Sequence, residues 1–341
     1  MPVSVNGVGV YFRDFFDSET DYFRNITDEH VFQKLTESNK AGTAFRKGIY
    51  LSEVSEVKAG KAEGELHFNL LRCSSNFNGP TEGFCETDRH IIKELNKTCP
   101  EVFQGSAKLN HVLAQVYRNT CRPKPSGWFW SFFITVVNYI WTAIFGEQYY
   151  NTTEHKAKIK AHSDKTKDMP KDGLIAFCTF YDSYRNVKFT DQRLSPLKKD
   201  GFDGCYKNTS ALTRLYFKKK GDVKHEFSVT LYPNSVFLIP LSTNGMYTHE
   251  IRPSILDADK IPTRMGYVVR CSNTAAVFKD GQTYIVKDEQ YNKLVKGTEE
   301  DIANLRKLYL AENMTTDTVQ YEDIYFSMNA GEYMKPYKND T

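Results

Sequence analysis

The stretch His162–Tyr181 reads HSDKTKDMPKDGLIAFCTFY and joins a His-x-Asp motif to a dense apolar and aromatic run. The run that begins at Gly173 has the character of a buried β-strand. Side chains two positions apart in a strand lie on one face, so His162 and Asp164 can reach the same metal ion. This stretch predicts a β-rich fold in which the pair lies at an edge or mouth of a sheet.

A second histidine and an arginine extend the pattern. His249 lies far along the chain, and Arg264 follows it by fifteen positions in a Pro-Thr-Arg segment. Two imidazoles and one carboxylate can hold non-haem Fe(II) while leaving coordination positions open for a co-substrate and O₂. The planar guanidinium of an arginine suits a carboxylate of such a co-substrate. Taken singly, each piece has another interpretation: a solvated turn for His-x-Asp, a structural histidine for His249, and an ion pair with a nearby aspartate for Arg264.

Short predicted strands between and after the two motifs favour a barrel or a sandwich. Gly, Pro and Asn separate them, and Asp280-Gly281 is a strong hairpin signal. The predicted strands cover residues 173–181, 211–217, 225–232, 235–240, 265–269, 275–278 and 282–286.

The segment from about residue 150 to residue 286 resembles the double-stranded β-helix of Fe(II)/2-oxoglutarate-dependent dioxygenases, over less than half of the chain. In the TET and base-J-binding-protein oxygenases a Pro-Thr-Arg-like segment follows the distal histidine, and its arginine binds the far carboxylate of 2-oxoglutarate. In AlkB-type demethylases two arginines six positions apart bind the co-substrate, a spacing that Arg264 and Arg270 share. The resemblance implies an α+β fold with a jelly-roll or cupin-like core and an N-terminal helical extension packed on it.

The chain departs from these families at two positions. A Ser or Asn often stands two residues after the first arginine, whereas this chain has Gly266. AlkB-like enzymes have an aromatic residue some nine positions before the first histidine, whereas this chain has Thr153. Asn151 is the candidate co-substrate contact in that region.

The resemblance also implies the site and its cofactors, namely Fe(II), 2-oxoglutarate and O₂. The expected metal ligands are His162, Asp164 and His249, and the expected co-substrate contacts are Arg264, Arg270 and Asn151. Such a site oxidises a substrate C–H bond while it decarboxylates 2-oxoglutarate.

The favoured substrate is a methylated nucleobase in DNA or RNA, with Lys165 and Lys167 as candidate substrate contacts. Lysines near the first motif suit a phosphate backbone. Such runs of lysine are, however, usually solvated surface. The lysines in question are Lys156, Lys158, Lys160, Lys165, Lys167 and Lys171. Two alternatives stay open: a protein or small-molecule hydroxylase of the same superfamily, and a binding module without catalysis. Hydroxylases of that kind typically bind the distal carboxylate with a lysine.

Composition sets wider limits. The net charge of +3 over 341 residues does not by itself indicate a nucleic-acid-binding protein. Seven cysteines without a C-x-x-C pair argue against a zinc site or a disulfide framework and favour a reducing compartment. The first residues lack the basic and apolar regions of a cleaved signal peptide. We therefore expect an intracellular protein, cytoplasmic or nuclear.

The predicted organisation has three parts: an N-terminal α/β extension over residues 1–125, the oxygenase core over 126–296, and a C-terminal helix and tail over 297–341. Residues 128–145 are nearly long enough to span a membrane, but polar residues recur at helical spacing, which favours a buried helix over an anchor. Helices are predicted at 87–95 and 107–117, and a capping box at Thr298 begins another. The polar tail after Asn329 is expected to fray.

Overall fold

The computed structural model describes residues 2–36, 43–57, 64–123, 152–182, 205–206, 209–224 and 227–339. The strands in this part of the chain are β1 (Val3–Val5), β2 (Gly9–Phe12), β3 (Gln33–Thr36), β4 (Thr43–Ser52), β5 (Ser55–Val57), β6 (Glu65–Leu70), β7 (Asn76–Phe77), β8 (Glu82–Gly83), β9 (His111–Tyr117), β10 (Thr120–Pro123), β11 (Thr152–His155), β12 (Ile159–His162), β13 (Leu174–Tyr181), β14 (Cys205–Tyr206), β15 (Thr209–Ser210), β16 (Arg214–Lys219), β17 (Phe227–Thr230), β18 (Ser235–Pro240), β19 (Tyr247–Ile251), β20 (Arg264–Arg270), β21 (Thr274–Lys279), β22 (Gln282–Lys287) and β23 (Gln290–Lys293).

Helices are fewer than strands, and the fold is α+β as predicted. They are α1 (Tyr22–Glu29), α2 (Glu86–Val102), α3 (Leu241–Met246) and α4 (Glu299–Met314). The predicted capping box at the start of α4 is confirmed: Asp301 N donates to Thr298 Oγ1 at 3.1 Å, and Thr298 N donates to Asp301 Oδ2 at 2.9 Å.

Three sheets organise the described residues, beside two pairs of short strands, β10-β11 and β14-β15. The ten-stranded sheet has the order β1-β2-β18-β13-β20-β9-β4-β3-β7, with β8 parallel to β4. The four-stranded sheet has the order β12-β19-β16-β17, and a five-stranded sheet has the order β23-β22-β21-β6-β5. None of these sheets closes on itself within the described part of the chain.

The ten-stranded sheet has an apolar layer on each face. All eight residues of β13 are buried, and their side chains alternate between the layers. Ala176 and Phe180 pack with α1 and α2 on one face, whereas Ile175 and Phe177 pack with the four-stranded sheet on the other. From β12 to β20 the chain passes back and forth between the large and the four-stranded sheet. The His-x-Asp motif therefore lies where these two sheets face each other.

The helix predicted over residues 107–117 is wrong. The structure has strand β9 there, with all seven residues buried between β4 and β20. A strand buried on both faces is a continuous apolar run, and such a run cannot be distinguished from a buried helix by periodicity. The hairpin of β21 and β22 is confirmed, but it joins β6 in the five-stranded sheet rather than extending the sheets around the His-x-Asp motif.

The C-terminal tail packs against strands β7 and β8, so the expectation that it frays is wrong. Asn329 Oδ1 accepts from Phe77 N at 2.9 Å, and Tyr337 O accepts from Gly83 N at 2.7 Å. Glu332 is 2% exposed. These contacts satisfy backbone groups of β7 and β8 that have no strand neighbour on that side.

Strands from the predicted N-terminal extension pair directly with strands of the predicted core. Strand β9 pairs with β20, and β2 pairs with β18. The predicted buried helix at 128–145 lies outside the described residues. Among the helices that the structure describes, none is long and apolar enough to cross a membrane.

A buried imidazole joins the end of α1 to the start of α2. His30 Nδ1 lies 3.0 Å from Glu82 Oε2, and His30 Nε2 lies 2.7 Å from Asp88 Oδ2. Asp88 Oδ1 also accepts from the Tyr267 hydroxyl at 2.7 Å. Burial alone would lower the pKa of His30, but the two carboxylates outweigh it and raise the pKa to about 9. His30 is therefore an imidazolium at neutral pH, and it offsets the charge of the buried carboxylates.

This pairing predicts how the free energy of unfolding depends on pH. Because the folded pKa of about 9 lies above the ordinary 6.5, the stabilisation is complete below pH 6.5 and is lost as the pH rises through 9. Its full size is about 3 kcal/mol. Urea unfolding of the wild type and of His30→Gln at several pH values measures it. The difference between the two proteins should shrink toward pH 9; a constant difference would show that folding does not raise the pKa of His30.

Candidate metal centre

Two histidines face each other across a strand pair at the edge of the four-stranded sheet. His162 is the last residue of β12 and is the direct partner of His249 in β19. Their ring centroids are 4.4 Å apart. Phe177 packs edge-on against the His249 ring at 5.2 Å, and Phe217 lies at 6.1 Å. The antiparallel register therefore brings together two residues that are far apart in the sequence.

Asp164 lies just beyond the end of β12 and is held through its backbone. Asp164 N donates to Asn244 Oδ1 at 2.8 Å, and Asn244 Nδ2 donates to Asp164 O at 2.9 Å. Asp164 Oδ1 lies 3.7 Å from His162 Nε2 and 4.0 Å from His249 Nε2. Two atoms that bind one metal ion at about 2.1 Å are at most about 4.2 Å apart. The three side chains could therefore hold a metal ion.

The protonation states of the three side chains suit metal binding. Burial lowers the pKa of both imidazoles, and that of His249 falls to about 3 because His162 adds to the effect of burial. Both rings are therefore neutral at neutral pH, which is the form that binds a metal. Burial alone would raise the pKa of Asp164, but Arg270 outweighs it and holds the pKa well below its usual range. The centre is thus ready to accept a divalent cation without losing a proton.

Arg264 begins strand β20 and is buried without a carboxylate partner among the described residues. Its side chain is stacked over the Tyr117 ring at 4.6 Å, and the residue is 5% exposed. A Cβ atom on Gly266 would lie 3.0 Å from Arg264 Nη1, so a larger residue there would press on the guanidinium. Thr179 pairs with Gly266 across the sheet, and its buried hydroxyl has no hydrogen-bond partner within the described ranges.

Arg270 lies six residues further along β20, and its guanidinium has two different environments. Arg270 Nε donates to Asp164 Oδ2 at 2.7 Å, which forms a buried ion pair. Arg270 Nη1 is buried and has no hydrogen-bond partner in the part of the chain that the structure describes. Arg270 therefore orients the carboxylate of the triad and has one donor left for an acceptor that enters the site.

The other predicted contacts lie in different surroundings. Lys165 is 8% exposed, and its ammonium donates to Tyr309 O at 2.8 Å and to Asn313 Oδ1 at 2.9 Å. Lys167 Nζ lies 3.0 Å from Asp168 Oδ2, and the Lys167 side chain is 3% exposed. Both ammonium groups are thus occupied by other parts of the protein. Asn151 lies outside the described residues.

A cavity of about 570 Å³ connects the triad with Arg264 and Arg270. Six basic side chains and one acidic side chain, Asp164, line it. Lys158 and Lys160 are exposed, and Arg46 contributes a buried Nε that has no hydrogen-bond partner among the residues described. An excess of positive charge in a partly enclosed cavity attracts anions.

A second group of metal-ligand side chains lies at the end of α1. It consists of Glu29, His30, Cys85 and Asp88. Both ring nitrogens of His30 already contact carboxylates, as described above, so the imidazolium supplies the positive charge there. The His162 centre differs because its two imidazoles are neutral and their Nε2 atoms lie beside a single carboxylate.

Comparison with known proteins adds no assignment, since no protein-family model and no curated protein matches the chain.

The ion pair between Asp164 and Arg270 predicts a stability change in the metal-free protein. Asp164→Asn leaves the Arg270 guanidinium buried without a counter-charge, so the free energy of unfolding should fall by about 3 kcal/mol. Urea unfolding measures this. Asp172→Asn, which changes an exposed aspartate on the same loop, is the control and should differ little from wild type. Equal stability of wild type and Asp164→Asn would show that the pair is not formed.

Proposed function

We propose that the protein is an Fe(II)/2-oxoglutarate-dependent dioxygenase that oxidises a substrate C–H bond. The observation that carries the proposal is one cavity with two kinds of group. The cavity is lined by a His-Asp-His triad and by Arg264, which is buried and has no carboxylate partner among the described residues. A buried guanidinium is costly without a counter-charge, and a dicarboxylate supplies one.

We also propose that the two facing sheets form a double-stranded β-helix core. Support comes from the order of the strands. Strands β12, β16, β17 and β19 belong to the four-stranded sheet, whereas β13, β18 and β20 belong to the large sheet. A chain that alternates between two sheets in this way is typical of jelly-roll folds. The shared apolar layer of Phe177, Phe217 and Phe237 supports the same arrangement.

The residues of the chain have distinct roles in this function. His162, Asp164 and His249 would bind Fe(II), which supplies oxidative decarboxylation of 2-oxoglutarate and attack on a C–H bond. Arg264 binds the distal carboxylate of the co-substrate, and the stacked Tyr117 ring keeps the guanidinium in place. Arg270 keeps Asp164 ionised and offers Nη1 to a second acceptor.

We infer the substrate class from the basic side chains of the cavity that the co-substrate does not use. Once Arg264 and Arg270 are assigned to the co-substrate, Arg46, Lys158 and Lys160 are still available along the cavity. Cations at the mouth of a cavity suit a phosphate chain. A methylated nucleobase in DNA or RNA is therefore the substrate that we propose, with these three residues rather than Lys165 and Lys167 as the contacts.

Binding and turnover measurements test the oxygenase. The protein should bind Fe(II) and 2-oxoglutarate under anaerobic conditions and release succinate when O₂ is added. Arg264→Ala should weaken 2-oxoglutarate binding by about 2 to 5 kcal/mol, a rise in Kd of at least about thirtyfold, because a buried ion pair is lost.

Arg252→Ala is the matched control, since Arg252 also stacks on a tyrosine, at 4.6 Å from Tyr216, but lies outside the metal cavity. Its Kd should equal that of wild type. A wild-type Kd for Arg264→Ala would remove Arg264 from the co-substrate site. Absence of both metal and co-substrate binding would leave the binding module as the function.

The phosphate contacts predict a salt-dependent effect on nucleic-acid binding. A fluorescent ten-nucleotide single-stranded DNA should bind with a log Kd that depends linearly on log salt. Lys158→Gln and Lys160→Gln should each reduce that slope by roughly 0.7. Lys171→Gln, an exposed lysine outside the cavity, serves as the control. No effect of either cavity substitution would redirect the search to protein and metabolite substrates.

A further inference from the structure

The segment 163–166 follows His162 and carries the carboxylate of the triad. It lies between β12 and β13 and belongs to neither. Ser163 is 1% exposed and Asp164 is 7% exposed. Backbone groups buried outside a sheet need partners from elsewhere in the protein. The partners found here come from two helices that are distant in the sequence.

Asn313, near the carboxyl end of α4, contacts this segment through one atom. Asn313 Oδ1 accepts from Ser163 N at 2.9 Å, from Ser163 Oγ at 3.3 Å and from Lys165 Nζ at 2.9 Å. Glu312 adds three hydrogen bonds. Glu312 Oε1 accepts from Thr166 N at 3.1 Å and from Thr166 Oγ1 at 2.5 Å, and Glu312 O accepts from Ser163 Oγ at 3.0 Å.

The end of α4 is also electrostatically suited to this contact. A helix end has carbonyl groups without partners and a partial negative charge. Helix α4 has no basic residue in its own last turn. Lys165 supplies the positive charge from the segment, with its Nζ at 2.8 Å from Tyr309 O and 3.8 Å from Glu312 Oε2. Ser163, Lys165 and Thr166 of the segment are therefore tied to the end of α4.

Asn244 of α3 holds the next residue from another direction and uses both ends of its amide. Asn244 Oδ1 accepts from Asp164 N, and Asn244 Nδ2 donates to Asp164 O. With both backbone groups of Asp164 bonded and Ser163 N held by Asn313, little rotation remains for the peptide units on each side of Asp164. The carboxylate can then point to the imidazoles before any metal arrives.

We propose that Asn244 and Asn313 are positioning residues that fix Asp164 for metal binding, so that the C-terminal helix α4 is a functional part of the centre. This role rests on the proposed function, because it requires that the triad binds a metal. Residues that orient a metal ligand typically change metal affinity by about tenfold to a hundredfold when they are removed.

The two asparagines predict different results for the same conservative change. Asn313 uses its acceptor oxygen in these contacts, so Asn313→Asp keeps them and should bind Co(II) at least as tightly as wild type, because it also adds a negative charge to the cavity. Asn244 needs its amide as a donor, so Asn244→Asp places an oxygen against Asp164 O and should be as weak as Asn244→Ala. Asn244→Ala and Asn313→Ala should each weaken Co(II) binding by about tenfold to a hundredfold.

The experiment is a Co(II) titration followed by visible absorption, together with hydrogen exchange of residues 160–168 in the metal-free protein. Exchange should be faster in both alanine variants and unchanged in Asn313→Asp. The control is Asn304→Ala, which changes an exposed asparagine of the same helix whose Oδ1 accepts from Lys307 Nζ at 3.4 Å. A purely structural role would lower the midpoint of unfolding without changing Co(II) affinity in the folded protein.

The possible results distinguish the positioning role of the two asparagines from metal binding by the triad. Wild-type Co(II) affinity and exchange in both alanine variants would overturn the positioning role while leaving the metal centre intact. If the wild type binds no Co(II), the proposed function fails, and the exchange data alone decide whether the asparagines order the segment. An equal effect of Asn313→Asp and Asn313→Ala would also overturn the role assigned to the Asn313 oxygen.

Discussion

The charge of Asp164 is the constraint on which the site depends. A carboxylate that is 7% exposed needs a counter-charge, and Arg270 provides it at 2.7 Å. Because Asp164 follows a strand of the four-stranded sheet and Arg270 ends a strand of the large sheet, this ion pair links the two sheets at the cavity. A buried ion pair adds little net free energy, so the pair mainly determines how the two sheets are placed relative to each other at the cavity. The same pair leaves Asp164 Oδ1 free to face the imidazoles.

The sequence predicted the parts of the site that follow from local geometry. His162 and Asp164 are two positions apart, and the apolar run after them is strand β13, as expected. The contacts of Asn244 and Asn313 were missed because they cross 80 and 150 residues of chain. Neither asparagine stands in a motif, and an asparagine near a helix end is usually a cap or a solvated residue. Contacts of this kind depend on how two elements pack, which local patterns do not encode.

The wrong helix prediction for residues 107–117 also concealed part of the wall of the cavity. Strand β9 brings Tyr117 next to Arg264, and β4 brings Arg46 next to Tyr117 on the other side. The first 125 residues therefore supply part of the cavity wall, although they contain no recognisable motif. Their role follows from strand pairing, and long-range pairing is what periodicity in one sequence leaves undetermined. The tail is a similar case, since its polar side chains bond to buried backbone groups instead of water.

The charges of the cavity also determine how its ligands must influence one another in the proposed function. Six basic side chains face one carboxylate there, so a divalent cation alone enters against repulsion, and the neutral imidazoles offset none of it. A dianion on Arg264 and Arg270 reduces that repulsion, and the cation in turn attracts the dianion. Equilibrium coupling is reciprocal, so each ligand raises the affinity for the other by the same factor. Salt weakens this coupling mainly through the exposed Lys158 and Lys160, because the buried Arg270 and Asp164 are screened much less.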